Sequence, residues 1–488
     1  MLRPSSPTPR RLTEVLAEVA GLSVRGSLDG VLVTGCTHDS RAVEPGDVYA
    51  ALPGAHVHGA DFAPQAVTAG AVAVLTDAAG ADRVPDGVPV LVADAPRHVL
   101  GDVASWVHGH PSRALTVLGV TGTNGKTTTA FLLEAGLRAA GHTTGLLGTV
   151  LTRIGDEAVP SIRTTPEATD LHALFAAMVE RGVTAVAMEV SSHALAFGRV
   201  DGVRFDVAAF TNLSQDHLDF HADMEDYFAA KASLFTARRA ARGVVNADDP
   251  YGRRLLGDPQ VPLVSVGADA DWPVHDVVLR PDGSSFGIGP AAAAVQLPGE
   301  FNVSNAAVAV VTLVLAGVDL DAAVSGVAGL TGVPGRMERV DAGQPFTALV
   351  DYAHTPDAVG TLLASVREVT TGRVIVVLGC GGDRDRGKRP LMGQAAVAGA
   401  DVAILTSDNP RSEDPLDILA EMGQPDALQE VDRRKAIALA VSLARPGDTV
   451  VVAGKGHEKG QDVKGVVTPF DDREVLRHSI ISAGAVPR

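Results

Sequence analysis

Gly122, Gly125, Lys126 and Thr127 fall within VLGVTGTNGKTTT, the stretch Val117–Thr129. Residues of these types at this spacing can hold a phosphate chain. Glycines let backbone N–H groups close on an anion, and a helix N-terminus adds its dipole. Lys126 would reach the β- and γ-phosphates of a nucleotide, and Thr127 would hold Mg²⁺. The apolar run Leu115–Val120 supplies the strand that must precede such a loop. The match to the general pattern is incomplete: Val120 stands where the first glycine is expected, and Gly119 comes one residue early.

Glu189 closes the segment VTAVAME, where a carboxylate is well placed for the Mg²⁺ of a bound nucleotide. FTNLSQDHLDFH, Phe210–His221, follows another apolar run and supplies Asp216, His217, Asp219 and His221. Polar clusters at the ends of successive strands of one sheet point to a shared site. The chain has seven lysines, at 126, 231, 388, 435, 455, 459 and 464, against 34 arginines. Surface charge is therefore carried by arginine, and each lysine invites a chemical question, because only its amine readily loses a proton. Lys231, in DYFAAKASLF, is spaced to share a helical face with Phe228 and Phe235 and so to point inward. Burial there disfavours the ammonium and leaves a nucleophilic amine.

Farther on, GCGGDRDRGKRP (Gly379–Pro390), SDNPRSEDP (Ser407–Pro415) and GKGHE (Gly454–Glu458) each follow an apolar run. They gather Arg384, Arg386, Lys388 and Arg389 beside Asp408 and Glu458, a mixed-charge face suited to a zwitterionic amino acid. Nearer the start, HDSRAVEPGD (His38–Asp47) and HVHG (56–59) read from spacing alone as turn chemistry.

Positioning these loops requires parallel sheets. The expected strands alternate with Ala-rich helical stretches, which implies βαβ units in an α/β protein. In open parallel sheets ligands bind beyond the carboxyl ends of the strands. A first, small α/β domain spans 1–111, with runs Gly30–Thr34, Val48–Leu52, Val72–Thr76 and Val88–Val92 after a helix-like segment Leu12–Ala20. A central domain, 112–333, carries Leu115–Val120, Val183–Val190, Val207–Thr211 and Gly243–Asn246, and has a mostly parallel sheet. A third, Rossmann-like domain, 334–488, carries Thr347–Val350, Val374–Leu378, Val402–Thr406 and Thr449–Ala453. With 46% hydrophobic but 4% aromatic residues, the cores must be built from Ala, Val and Leu. A net charge of −17 argues against a nucleic-acid binder. Two cysteines, Cys36 and Cys380, suit a reducing compartment. The longest apolar stretch, Ala306–Gly317, is too short to span a bilayer, and no signal core precedes it, so a soluble, cytoplasmic protein is expected.

These motifs occur in one order together with MEVSSHAL, GEFNVSN (Gly299–Asn305), GRMER and VDYAHTPDA (Val350–Ala358). The chain closely resembles the Mur ligases of peptidoglycan synthesis over essentially all 488 residues. The resemblance implies an N-terminal domain for a UDP moiety, a central ATPase domain and a C-terminal domain that brings an amino acid. Among family activities it implies addition of meso-2,6-diaminopimelate to the D-Glu γ-carboxylate of UDP-MurNAc-L-Ala-D-Glu through an acyl phosphate, with ATP and Mg²⁺, by a monomer. By the same resemblance, Gly122, Thr123, Asn124, Gly125, Lys126, Thr127, Thr128, Asn305, Arg336 and Asp351 bind ATP. Thr127 and Glu189 lie near one Mg²⁺; His217 and Lys231, carboxylated by CO₂ to a carbamate, serve a second. Lys126, Lys231, His217 and Glu189 are the catalytic set. His38, Ser40, Ala55, His56 and Val57 match the uridine side; Thr164, Thr165, Ser191 and Arg199 match contacts to the muramoyl dipeptide. Arg384, Asp408, Asn409, Pro410, Arg411, Gly454 and Glu458 match the diaminopimelate pocket, where Arg411 is expected as a buried fork for the distal carboxylate. Arg163 stands where asparagine is common and Phe197 where glutamine is common. A lysine-adding or folylpolyglutamate-forming ligase of the same fold is the nearest alternative, and DNPR and the long N-terminal domain argue against both. A P-loop kinase or a nucleotide-regulated binding protein is the alternative of a different class.

Overall fold

A computed structural model describes residues 2–159, 161 and 163–484. Three sheets organise these residues. The first has five strands in the spatial order Ser23–Arg25, Val90–Val92, Ala73–Thr76, Asp47–Ala50, Gly35–Thr37. The run expected as a strand over Gly30–Thr34 contributes only Leu32–Val33, which pairs with Arg10–Arg11 outside this sheet. The helix expected over Leu12–Ala20 is a 3₁₀ turn, Leu12–Glu14, followed by one α turn, Val15–Glu18.

The central sheet has eleven strands among the described residues. Thr116–Thr121 lies between Ala185–Glu189 and Val207–Phe210, both parallel to it, so the three motif-bearing strand ends are neighbours. Parallel pairing continues through Gly243–Asn246 and Leu263–Gly267 to the start of Trp272–Arg280. Both edges turn antiparallel. One carries Thr152–Ile154 and Glu157–Val159; the other is the meander Trp272–Arg280, Gly283–Ile288, Ala291–Val295.

Two helices, Lys126–Ala139 and Glu300–Leu315, cover one face of this sheet and share its main core. The second is apolar nearly all round, as a helix buried on most sides must be. They approach closely at Gly136, where an added Cβ would meet Leu313 Cδ1 at 2.2 Å.

In the third unit the sheet order is Glu338–Arg339, Thr347–Asp351, Thr449–Ala453, Val374–Cys380, Val402–Ser407, Leu428–Gln429. Val374–Cys380 is buried at every residue, the pattern of a parallel strand covered on both faces. The hairpin Gly460–Val463/Val466–Pro469, absent from the sequence expectations, folds over the ends of this sheet, and its Arg411↔Val463 bridge ties it to the DNPR loop.

Candidate active site

The glycine-rich loop leaves its strand at Thr121 and enters its helix at Lys126. Gly122 has φ +151° and Gly125 φ +84°, conformations that non-glycine residues rarely adopt. An added Cβ at Gly122 would meet Thr211 Oγ1 at 1.9 Å, and one at Gly125 would meet Asn305 Oδ1 at 2.3 Å. The loop is therefore clasped by the next strand end and by the helix Glu300–Leu315. Lys126 Nζ donates to the carbonyls of Gly122 (2.9 Å) and Thr123 (2.8 Å). Burial pushes its ammonium down, while Glu189 and Asp216 oppose the shift.

Thr127 Oγ1 donates to Glu189 Oε2 at 3.0 Å. The fully buried Glu189 also accepts from the Thr149 N–H at 2.7 Å and the Thr149 hydroxyl at 3.1 Å. Hydroxyl and carboxylate oxygens side by side, at the foot of a phosphate loop, fit a hard divalent cation such as Mg²⁺.

Lys231 is buried, and its Nζ donates to the Gly122 carbonyl at 2.6 Å. The inward direction is as expected from the sequence, but the neighbour differs. The helix Met224–Ala232 stacks the lysine over Tyr227, 4.6 Å from the ring centre, while Phe228 turns outward against Tyr251 and Arg254. Tyr227 in turn shares a hydrogen bond of 3.1 Å with Thr123 Oγ1. Burial, reinforced by Lys126, pushes the Lys231 amine well below the usual lysine range. A neutral primary amine against the phosphate loop has the chemistry needed to add CO₂. His217 sits at φ +56° beside Asp216, its Nε2 3.5 Å from Asp216 Oδ2. Burial holds its imidazole down at about 4, so it is neutral at neutral pH, the form that ligates metals.

The third unit closes this site from above. Arg336 donates from Nη2 to Thr127 Oγ1 at 3.1 Å and lies over the Tyr352 ring at 4.4 Å. The Asp351 carboxylate accepts from the N–H groups of Met337 (2.8 Å) and Ala353 (2.7 Å). Asn124 donates to Asp357 at 3.3 Å across the same seam. A cavity of about 410 Å³ results. It is lined by Thr123–Thr128, Thr164, Glu189, Ser191, His217, Asn305, Arg336 and Asp351 among others. His354 and Tyr352 line it too and were not singled out from the sequence.

The other expected contacts fall around this cavity. Thr165 is buried behind it and bridges the Glu189 carbonyl (2.9 Å) and the Ser191 N–H (3.1 Å). Arg199 Nε lies 2.8 Å from Glu167 Oε1. Arg163 and Arg97 reach the same carboxylate at 3.4 and 3.5 Å, so three guanidiniums converge on one acid. Phe197 is flanked by Arg97 and Arg199, with 5.7 and 5.6 Å from guanidinium carbon to ring centre. The ring thus makes cation–π contacts where an amide would donate hydrogen bonds. His38 reaches across from the first unit to Thr169 Oγ1 at 3.0 Å, and Ser40 lies against the Tyr49 hydroxyl. Ala55 and His56 are exposed, as is Val57.

A second cluster lies at the strand ends of the third unit. Asn409 Nδ2 donates to Glu458 Oε2 at 2.8 Å. Gly454, at φ +113°, leaves an added Cβ only 2.8 Å from Asp408 Oδ2. Arg411 was expected as a buried fork. It is half-buried, at φ +51°, with Nη1 donating to the Gly382 carbonyl, because the DNPR loop is pinned to the hairpin by Arg411 N–H→Asp462 O at 3.0 Å. Pro410 packs its carbonyl side against Gly382, while Arg384 is exposed. The loops are braced from below by the buried Arg389, which forks onto Glu413 and Glu421, each at 2.7 Å.

Three family descriptions match successive stretches of the chain. They are "Mur ligase family, catalytic domain" at 32–107, "Mur ligase middle domain" at 120–313 and "Mur ligase, glutamate ligase domain" at 335–456. The UDP-N-acetylmuramoyl-L-alanyl-D-glutamate–2,6-diaminopimelate ligase of Streptomyces avermitilis is 57% identical, covering 98% of this chain and 99% of the relative. The Corynebacterium glutamicum protein of the same name is 49% identical, with 91% and 90% covered. A solved structure with that enzyme name superposes at TM-score 0.69 with 33% identity, covering 98% and 100% of the two chains. The MurF ligase of Thermotoga maritima in complex with ADP shares the fold at TM-score 0.61 and 18% identity, with 92% and 96% covered.

Proposed function

The chain belongs to the Mur ligase family, and from that premise we propose that it joins meso-2,6-diaminopimelate to UDP-MurNAc-L-Ala-D-Glu in peptidoglycan synthesis, coupled to cleavage of ATP. The reading is carried by the 57% identity to enzymes of that name over nearly the whole chain. We divide the chain for this purpose at 1–111 for the UDP substrate, 112–333 for ATP and 334–488 for the amino acid.

A carboxylate does not react with an amine on its own. In the first step a γ-carboxylate oxygen of D-Glu attacks the γ-phosphorus, the bond to the β,γ-bridging oxygen breaks, and ADP leaves. In the second, the neutral amine attacks the acyl carbon and loses its proton as phosphate departs. The loop Gly122–Thr128, with Asn305, Arg336 and Asp351, would hold the nucleotide, and Lys126 would turn from its loop carbonyls to the transferring phosphoryl group. Magnesium, when bound, neutralises phosphate oxygens. Thr127 and Glu189 would hold one ion and His217 with carboxylated Lys231 a second. His38, Ser40, Ala55–Val57, Thr164, Thr165, Ser191 and Arg199 would take the muramoyl dipeptide. Arg384, Asp408–Arg411, Gly454 and Glu458 would take diaminopimelate.

The test is phosphate release by the purified protein with ATP and each candidate amine, with and without the muramoyl dipeptide. Release that requires both the dipeptide and meso-diaminopimelate is expected. Release with L-lysine in its place, or without any amine, would overturn the assignment.

A further inference from the structure

We propose that Lys455 is the positioning residue of the amino-acid pocket: its buried ammonium orients the Asn409 amide and occupies one oxygen of Glu458, so that the other oxygen is presented to the ammonium of the incoming amino acid. The inference rests on the reading of that pocket given above and concerns a lysine to which that reading gives no role.

The side chain of Lys455 is fully buried, and both of its side-chain partners belong to the pocket. Nζ donates to Asn409 Oδ1 at 2.9 Å and to Glu458 Oε2 at 2.9 Å. The Asp462 N–H donates to the same Asn409 oxygen at 3.0 Å. With two donors on Oδ1, the amide has one satisfied orientation, and its Nδ2 must aim at Glu458 Oε2, which it reaches at 2.8 Å. Oε2 is thus taken by an ammonium and an amide. Glu458 remains about one-third exposed, and both of these donors sit on Oε2, which leaves Oε1 clear of them.

The choice of lysine fits the geometry. Three donors on one compact nitrogen can serve two oxygens from a fully enclosed position, whereas a planar guanidinium needs a wider fork. The chain has seven lysines against 34 arginines, and one of the seven stands at this enclosed position. Removing the ammonium would leave the amide oxygen with the Asp462 N–H alone and Glu458 held by one neutral donor, although neither group touches ATP or the muramoyl dipeptide in this reading.

The experiment compares wild type with Lys455→Met, which preserves length and removes the charge, using the full-length enzyme with ATP, muramoyl dipeptide and meso-diaminopimelate. The KM for meso-diaminopimelate should rise at least tenfold, while kcat and the KM values for ATP and the dipeptide stay within threefold. Adding Glu458→Gln to Lys455→Met should then cost little more than Lys455→Met alone. A general packing defect would move all three substrates and the melting temperature together. If Lys455→Met does not fold, Lys455→Gln, which keeps a neutral donor and removes the charge, is measured by the same criterion. A meso-diaminopimelate KM within threefold of wild type in either folded variant, or equal losses for all substrates, overturns the proposal. Failure of wild type to use meso-diaminopimelate would instead overturn the functional reading beneath it.

Discussion

At the scale of single residues, the two proposed binding steps separate cleanly between Lys231 and Arg411. Lys231 stands against the phosphate loop with its ammonium disfavoured by burial. As a carbamate it would carry negative charge toward a cation, so Lys231→Ala should lower phosphate release by more than 100-fold, on the order of 3 kcal/mol in the barrier. Millimolar short carboxylates should restore part of it; full activity in the unrescued variant would remove the carbamate from the mechanism. Arg411 raises a different issue, because its φ of +51° would strain an alanine. Asn tolerates that backbone, so Arg411→Asn is the cleaner variant. Loss of a guanidinium–carboxylate contact is worth about 1.5–3 kcal/mol, which predicts a KM for diaminopimelate raised roughly tenfold to 150-fold, with ATP affinity unchanged by calorimetry.

At the scale of elements, the turn that makes the phosphate loop is also its weakest point to substitution. Gly125→Ala combines a left-handed φ with a Cβ placed 2.3 Å from Asn305 Oδ1, whereas Gly141 has a similar φ of +88° and nothing within 4 Å. Backbone strain alone costs about 1–2 kcal/mol. Gly141→Ala should therefore lower thermal stability by that amount and leave the KM for ATP alone. Gly125→Ala should in addition displace Asn305 and raise the KM for ATP at least tenfold. The same contrast explains what could be read from the chain beforehand. Strand–loop–helix units such as Thr116–Ala139 announce themselves because a largely apolar strand, a glycine turn and a long helix are each distinct locally. The strand Trp272–Arg280 does not, because a bulge between His275 and Val278, with Asp276 at φ +50°, breaks the alternation that marks a strand. The hairpin Gly460–Pro469 exposes Val466 and Val467, so its pattern resembles no buried strand. At the site, residue types at strand ends were legible. The stacking of Lys231 on Tyr227, four residues earlier on one helix, was open to a reading of helical spacing. Pairings across distant segments, such as Lys231 on the Gly122 carbonyl or Lys455 on Asn409, depend on loops meeting in space, which no local pattern encodes.

At the scale of the whole molecule, buried histidines stand where the units meet. Helix Pro96–Val107 of the first unit packs on Ala168–Glu180 of the second, and the backbones come close enough that a Cβ on Gly101 would lie 2.2 Å from the Asp201 carbonyl. His108 and His172 lie at this seam, each with one buried ring nitrogen that has no hydrogen-bond partner. Burial holds His108 down at about 3 and His172 at about 4, against 6.5 for an ordinary histidine. His457, which bridges the third unit to Thr149 of the second, is held at about 4 for the same reason. A histidine depressed in the folded state binds its proton first when unfolded. Its contribution to stability is therefore complete above about pH 6.5, falls as pH drops toward the folded value, about 4 for His172 and His457 and about 3 for His108, and changes little below that. Within this window each such histidine contributes a slope of about 1.4 kcal/mol per pH unit. Urea unfolding followed at pH 7, 6 and 5 should show stability falling faster than carboxylate titration alone provides. His172→Gln, which cannot take the proton, should flatten that dependence by close to one proton while leaving the kinetics at pH 7.5 nearly unchanged. A slope identical to wild type would mean that the histidine ring is solvated in solution and that the seam between the first two units opens before the protein unfolds.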